Sequence, residues 1–146
     1  MRVCRSFMRK IPSEAEYSAF DGGRFRKTWF SLSPEWRCPV CGRSKKELMR
    51  WGRRKGINGV LYGFEGWRCS FHVHHDHGDR WKERVLICGD CNAADGMAKR
   101  LLKLPSEWSF SADELREFVK CEPNGTIESI DLDIAMDIFL ECCAMV

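Results

Sequence analysis

The sequence predicts a small α+β domain in which a β-hairpin and a following helix are held by two pairs of cysteines, with additional N-terminal and C-terminal helices. Three observations lead to this prediction. Two Cys-x-x-Cys pairs flank the middle of the chain, two short apolar runs between them have strand character, and apolar residues after the second pair recur at helical spacing. A length of 146 residues fits one domain.

Charge divides this single domain into three segments. Residues 1–37 form a basic N-terminal segment, residues 38–104 the cysteine-rich core, and residues 105–146 an acidic, helical segment. The net charge of +3 conceals this asymmetry. The basic segment also contains several aromatic residues, a composition that suits a nucleic-acid surface, although a solvated basic face over a tryptophan core would give the same pattern.

Capping signals predict two helices in the N-terminal half. A Ser-x-x-Glu box at Ser13 opens the first, which residues 21–23 end. A second box, at Ser44, opens a short basic helix that we expect to reach Trp51. The glycine-rich stretch that follows excludes a longer helix, and residues 60–64 fit either a strand or a loop.

The core is predicted to be a β-hairpin followed by a helix. Residues 71–73 and 85–87 include β-branched and apolar side chains, and a polar turn separates the two stretches. Residues 92–104 carry apolar side chains at helical spacing, and Pro105 ends that helix. The predicted order is therefore strand, strand, helix.

The C-terminal segment is predicted to contain two helices. A capping box at Ser111 opens a helix that includes Val119, and Asn124 with Gly125 turns the chain. The last helix is expected over residues 131–143. Its broad apolar face fits either the core or a homodimer interface, and its carboxylates could instead pack on the basic N-terminal third.

The two Cys-x-x-Cys pairs have the spacing of zinc knuckles, in which one tight turn supplies two thiolates. Two such pairs complete one tetrahedral structural zinc site, with the ligands Cys38, Cys41, Cys88 and Cys91. The spacing of Cys69 and His72 also suits a metal, so a competing site that uses one or both of them stays open. The simpler interpretation of Cys69 is a small buried residue.

Cysteine usage also bears on the cellular compartment. The chain has nine cysteines, an odd number, and its basic start is not followed by the apolar stretch of a signal peptide. We expect reduced thiols, a cytoplasmic location and no membrane association.

All four histidines of the chain fall within residues 72–77. Strand alternation predicts His72 and His74 on one face and His75 on the other, with His77 at the turn. A neutral imidazole with a pKa of about 6.5 can accept a proton at physiological pH or bind a divalent cation. The cluster therefore indicates a hydrolytic site rather than ordinary packing.

The run from His72 to His77, together with RVLICGDCNAADG over residues 84–96, resembles the HNH nucleases of the recombination endonuclease VII family. The resemblance covers about residues 38–100. It implies a ββα-metal fold, in which the hairpin presents the histidines, a zinc site braces it, and the following helix supplies an asparagine to a catalytic metal.

The resemblance also implies roles for individual residues. His75 would be the general base that deprotonates the attacking water, and His74 and Asn92 would hold a catalytic Mg²⁺ or Mn²⁺. His77 would contact the scissile phosphate or assist the metal, and Arg84 matches an arginine near the start of the second strand. His74 stands where the family more usually has aspartate.

On this resemblance we expect metal-dependent hydrolysis of DNA phosphodiester bonds, on branched or structured DNA, in a bacterial or phage-encoded setting. The insertion after the second predicted helix begins with Arg53, Arg54 and Lys55, which we expect to contact DNA. The alternative is a catalytically inactive zinc-ribbon protein that binds nucleic acid or serves as an adaptor.

Overall fold

Six α-helices and three antiparallel strand pairs make up the part of the chain that the computed structural model describes, residues 9–53 and 65–145. The helices are α1 (Glu14–Ala19), α2 (Arg26–Ser31), α3 (Lys45–Leu48), α4 (Gly89–Leu101), α5 (Ala112–Phe118) and α6 (Leu132–Ala144). The strands pair in chain order: β1 (Arg50–Arg53) with β2 (Glu65–Arg68), β3 (Phe71–His74) with β4 (Val85–Cys88), and β5 (Val119–Cys121) with β6 (Ile127–Ile130).

The predicted central hairpin and the helix after it are confirmed as elements. In the register of β3 and β4, Phe71 lies opposite Cys88 and His74 opposite Val85. Helix α4 follows β4 without a linker and packs against β3. The chain is therefore α+β with the predicted order of strand, strand and helix; its assignment to the ββα-metal class stays a prediction.

Helix α4 begins three residues earlier than its apolar spacing predicted, at Gly89 instead of Asn92. The sulfur of Cys88 takes the place of an N-cap oxygen and accepts the backbone N–H of Cys91. The helix also ends earlier, at Leu101, because Lys103 adopts a left-handed conformation with φ 54°.

The prediction that the second helix, which the capping box at Ser44 opens, reaches Trp51 is wrong. The capping box at Ser44 is present, but α3 ends at Leu48 and Trp51 lies in β1. Pairing with the distant strand β2 overrides local helix propensity here. Gly52 permits it, since the guanidinium of Arg68 lies where a side chain at this position would stand. Residues 60–64, for which strand and loop were both open, lie outside the described residues.

In the C-terminal segment, α5 ends at Phe118 and Val119 begins β5 instead of continuing the helix. The predicted turn at Asn124 and Gly125 connects β5 to β6, with Asn124 in a left-handed conformation at φ 56°. The backbone N–H of Asp131 bonds to the Phe118 carbonyl, so the hairpin returns the chain to α5.

The final helix packs on the domain through part of its apolar face. Ala135 and Ile138 are buried, and α6 packs against α5. Ile134 and Leu140 are exposed. The prediction that this helix packs into the core is thus confirmed for the face that carries Ala135 and Ile138. A homodimer stays a prediction.

The hydrophobic core joins the central hairpin, α4, α5 and α6. Its fully buried side chains include Ile87 of β4, Leu115 of α5, and Phe110 from the loop before α5. Over residues 9–53 and 65–145, no helix combines the length and the apolar character needed to cross a membrane.

Asn124 anchors the β5–β6 turn on the end of α3. Its side-chain amide donates to the carbonyls of Lys46, at 2.9 Å, and Met49, at 2.8 Å. Asn124→Asp keeps the size and the tolerance of a left-handed backbone but replaces both donors with an acceptor. We expect a loss of about 2 kcal/mol in the free energy of unfolding, measured by urea denaturation with zinc present.

The matched control is Asp113→Asn, the reverse exchange at a highly exposed position of α5. It should change the free energy of unfolding by no more than about 0.5 kcal/mol. Equal stability of Asn124→Asp and the wild type would contradict an anchoring role.

Candidate metal centre and histidine site

The four knuckle cysteines meet in one cluster. Their sulfur atoms all lie within 4.8 Å of one another, and the distances between Cys38 and Cys91 and between Cys41 and Cys88 are both 3.9 Å. Four sulfurs at the usual Zn–S distance of about 2.3 Å form a tetrahedron with edges of about 3.8 Å. The cluster therefore has the donor set and the spacing to hold a zinc ion, as predicted.

Local backbone geometry shapes both halves of the cluster. In the first knuckle, Gly42 adopts φ 74° and donates its N–H to the carbonyl of Cys38, which closes the turn. The second knuckle is the first turn of α4. Backbone N–H groups of Cys88 and Cys91 point at the sulfurs of Cys38 and Cys88, respectively, at 3.4 Å in each case. Such donors stabilise thiolates.

Arg43 lies behind the cluster and is 3% exposed. Its guanidinium donates to the sulfurs of Cys41 and Cys88, each at 3.3 Å, and to a carboxylate oxygen of Asp90 at 2.9 Å. Burial by itself lowers the pKa of Arg43, but these contacts raise it above its ordinary value, so the group stays charged. A cation here would offset the negative charge that four thiolates leave around a bound Zn²⁺. No sequence pattern distinguishes Arg43 from the other basic residues.

A fifth thiol, that of Cys121 in β5, borders the cluster. Its sulfur lies 3.9 Å from that of Cys91. Hydrogen bonds from neighbouring thiols, foremost that of Cys121 and then that of Cys38, lower the pKa of Cys88 to about 3. A lowered pKa favours the thiolate of Cys88, which is the form that binds zinc. Sequence reasoning missed Cys121 because it stands alone, without a second cysteine at knuckle spacing.

The competing site at Cys69 and His72 receives no support. Among the described residues, the four knuckle cysteines are the group of three or more potential metal ligands that comes together. The Cys69 thiol instead donates to the carbonyl of Gly22, and burial raises its pKa to about 12. Cys69 is thus a half-buried, protonated thiol, which is close to the prediction that it is a small buried residue.

The structure separates the four histidines differently from the alternation rule. His74 is buried, at 2% exposure, whereas His72 is exposed. The His72 ring lies nearly parallel to that of His75, with 6.5 Å between centroids, and the His75 and His77 rings are 4.8 Å apart. The prediction that put His75 on the opposite face from His72 is therefore wrong, because the strand ends at His74 and the chain then turns.

Hydrogen bonds define the tautomers of the two central histidines. His74 Nε2 lies 2.6 Å from the carbonyl oxygen of Phe110, and His75 Nδ1 lies 3.3 Å from that of Val73. A carbonyl oxygen only accepts, so each of these nitrogens carries the proton. In the neutral rings, Nδ1 of His74 and Nε2 of His75 keep their lone pairs and can bind a metal or accept a proton.

The peptide group of Phe110 also connects the hairpin to α4. Its carbonyl accepts from His74, and its N–H donates to the buried carboxylate of Asp95 at 3.0 Å. Lys99, one turn further along α4, forms an ion pair with Asp95 at 3.3 Å. This chain of contacts holds β3 against the helix that begins at the second knuckle.

The loop after the histidines is held by Asp76 and Arg80. Asp76 accepts the backbone N–H groups of Gly78, Arg80 and Trp81. Burial by itself raises the pKa of Asp76, but these three hydrogen bonds lower it below its usual value. Arg80 binds both carboxylate oxygens of Glu114 and lies 4.0 Å above the Trp108 ring. The loop is therefore clamped onto α5.

The remaining predicted residues lie around this site or outside the described chain. Asn92 is half-buried in the first turn of α4, and His77 and Arg84 are exposed on the loop between β3 and β4. The backbone of Arg53 ends β1, and Arg54 and Lys55 lie outside the described residues.

Comparison with models of known protein families, with curated proteins and with solved structures found no match for this chain. The function must therefore be argued from the site itself.

Zinc binding tests the roles of the five thiols. We expect Cys121→Ser to retain one zinc ion per chain, because four cysteines already complete a tetrahedron. Cys88→Ser should lose the metal, and both can be measured by mass spectrometry of the metal content. Loss of zinc from Cys121→Ser alone would show instead that Cys121 is one of the four ligands.

The role of Arg43 is tested by a conservative exchange. Arg43→Lys keeps the charge, but one ammonium group cannot reach two sulfurs and Asp90 together with the carbonyls of Glu122 and Gly125. We expect zinc affinity, measured by competition with a chromogenic chelator, to fall about 10- to 100-fold.

The control is Arg37→Lys, which alters a guanidinium that is 64% exposed beside the same knuckle. Its zinc affinity should match that of the wild type. An unchanged affinity in Arg43→Lys would refute the electrostatic role.

Proposed function

We propose that this protein is a metal-dependent endonuclease that hydrolyses DNA phosphodiester bonds, with His75 as the general base. The observation that carries the proposal is the pairing of a buried, oriented His74 with a half-exposed His75 on a hairpin that leads directly into the cysteine cluster. A role in core packing would not explain why the imidazoles of His72, His75 and His77 lie side by side outside the core.

His75 has the tautomer that a general base needs. Its Nδ1–H faces the Val73 carbonyl, so Nε2 is the nitrogen that takes a proton from water. His77, whose ring is a neighbour of His75, would contact the substrate phosphate, and Arg84 would add positive charge nearby. The clamp at Arg80 and Asp76 limits the movement of this loop.

A catalytic Mg²⁺ or Mn²⁺ would be held by His74 and Asn92. His74 fits such a role, because a metal-binding histidine usually donates its second nitrogen to a carbonyl or carboxylate, as Nε2 of His74 does to Phe110. When bound, the ion would stabilise the charge that develops on the phosphate and on the leaving oxygen. Imidazole and amide ligands are uncharged, so substrate phosphate would contribute the negative charge at the ion.

The substrate class rests on charge. Residues 1–55 carry fifteen Lys and Arg against five Asp and Glu. Among the described residues, Arg9 forms an ion pair with Glu122 of the acidic C-terminal segment. A basic surface of this kind binds phosphate backbones through counterion release. Branched or structured DNA is the substrate form that we propose.

The decisive test is cleavage of supercoiled plasmid and of a four-way junction with added Mg²⁺ or Mn²⁺. We expect metal-dependent cutting by the wild type. His75→Ala should reduce the rate about 10²- to 10⁴-fold, because the general base is lost. The matched control is His72→Ala, which removes a neighbouring exposed imidazole and should stay within a few-fold of the wild type.

As a control, both variants should first be tested for zinc content and for a folded structure equal to that of the wild type. An absence of cutting by the wild type with either metal, despite intact zinc and measurable DNA binding, would refute the enzyme and favour an adaptor. Equal activity of His75→Ala and His72→Ala would refute the assignment of the base.

A further inference from the structure

A cavity of about 600 Å³ lies beside the cysteine cluster, away from the histidines. It is bounded by the 3₁₀ turn at Gly23–Phe25, by β1 and β2, and by Cys69 and Ser70 just before β3. Its lining includes Arg24, Phe25, Arg50, Trp67, Arg68 and Ser70. Its volume is in the range of pockets that enclose small ligands.

The cavity has an excess of positive charge. Arg50 and Arg68 lie directly opposite each other in the β1–β2 register, and like charges so placed repel each other. Among the described lining residues, Asp90 is the one with a carboxylate, and its two oxygens are already engaged by Arg43, at 2.9 Å, and by Arg50, at 3.6 Å. Within the described residues, neither Arg24 nor Arg68 has a carboxylate partner.

One wall of the cavity is aromatic and rigid. The indole N–H of Trp67 donates to a carboxylate oxygen of Glu16 at 2.7 Å. The Trp51 ring packs against Trp67 at 5.2 Å between centroids, nearly perpendicular. Leu48 and Phe25 extend the apolar surface. The ligand that suits this cavity therefore has an anionic end for the guanidinium groups and a flat apolar end for the wall.

We propose that this cavity binds a nucleotide, with its phosphate on Arg24 and Arg68 and its base against the wall that contains Trp67. Arginine forks match phosphate oxygens, and aromatic walls accept any of the bases. The nucleotide can be free or an unpaired unit of a nucleic-acid strand, since both present the same phosphate and base.

This site is separate from the proposed catalytic site. Ser70 lines the cavity just before β3, and His75 follows the other end of the strand, so about five residues at roughly 3.3 Å each separate them. The proposal concerns binding alone. It holds or fails whether or not the histidines catalyse hydrolysis.

The test measures binding without added divalent cation, so that cleavage plays no part. The probes are a labelled single-stranded oligonucleotide of mixed sequence, followed by fluorescence anisotropy, and free nucleoside monophosphate, followed by calorimetry. The variants are Arg24→Gln alone and the double change Arg24→Gln/Arg68→Gln. The control is Arg100→Gln/Lys120→Gln, which removes the same charge at exposed positions outside the cavity.

We expect the double variant to lose at least about tenfold in affinity for whichever probe binds, the single variant to lose part of this, and the control to stay within about twofold. Binding of the oligonucleotide alone would identify a strand as the ligand, and binding of the monophosphate as well would identify a free nucleotide. Equal losses in the double variant and the control, or no binding of either probe by the wild type, would overturn the proposal. Because Arg68 lies against Gly52, the single Arg24 variant keeps the test valid if the double variant unfolds.

Discussion

The contact between the buried guanidinium of Arg43 and the four-cysteine cluster is the constraint on which most of this structure depends. The cysteines join the first knuckle to the start of α4, over a separation of about a third of the chain. Arg43 extends the junction, because it also donates to the carbonyls of Glu122 and Gly125 in the β5–β6 turn. The central and acidic segments thus meet at one point.

The histidine site depends on this junction at one end and on α5 at the other. Strand β4 ends at Cys88 inside the cluster, which fixes the hairpin beside α4. At the opposite end, Phe110 holds His74, and Arg80 clamps the loop to Glu114. Restraint at both ends is what a site needs if its imidazoles are to keep one orientation.

The uneven charge of the chain is only partly neutralised by folding. Arg43 donates its hydrogen bonds to sulfurs, carbonyls and the carboxylate of Asp90, and Arg9 forms an ion pair with Glu122. Arg24 and Arg68 face a cavity instead. These cations lie beside an aromatic wall, and the attraction of phosphate to positive charge is the physical basis that the two proposals share.

The sequence by itself determined the features whose causes are local. The capping boxes at Ser13, Ser44 and Ser111 each open a helix, and the cysteine spacing within each knuckle predicted the four-cysteine cluster. The tertiary structure decided what depends on residues distant in the chain. It recruited Arg43 and Cys121 to the cluster, paired β1 with β2, and buried His74 but not His72. The spacing of residues along a chain predicts which near neighbours lie in the same turn or on the same face of an element. It does not predict which residues distant in sequence come into contact, because those contacts depend on how the elements pack.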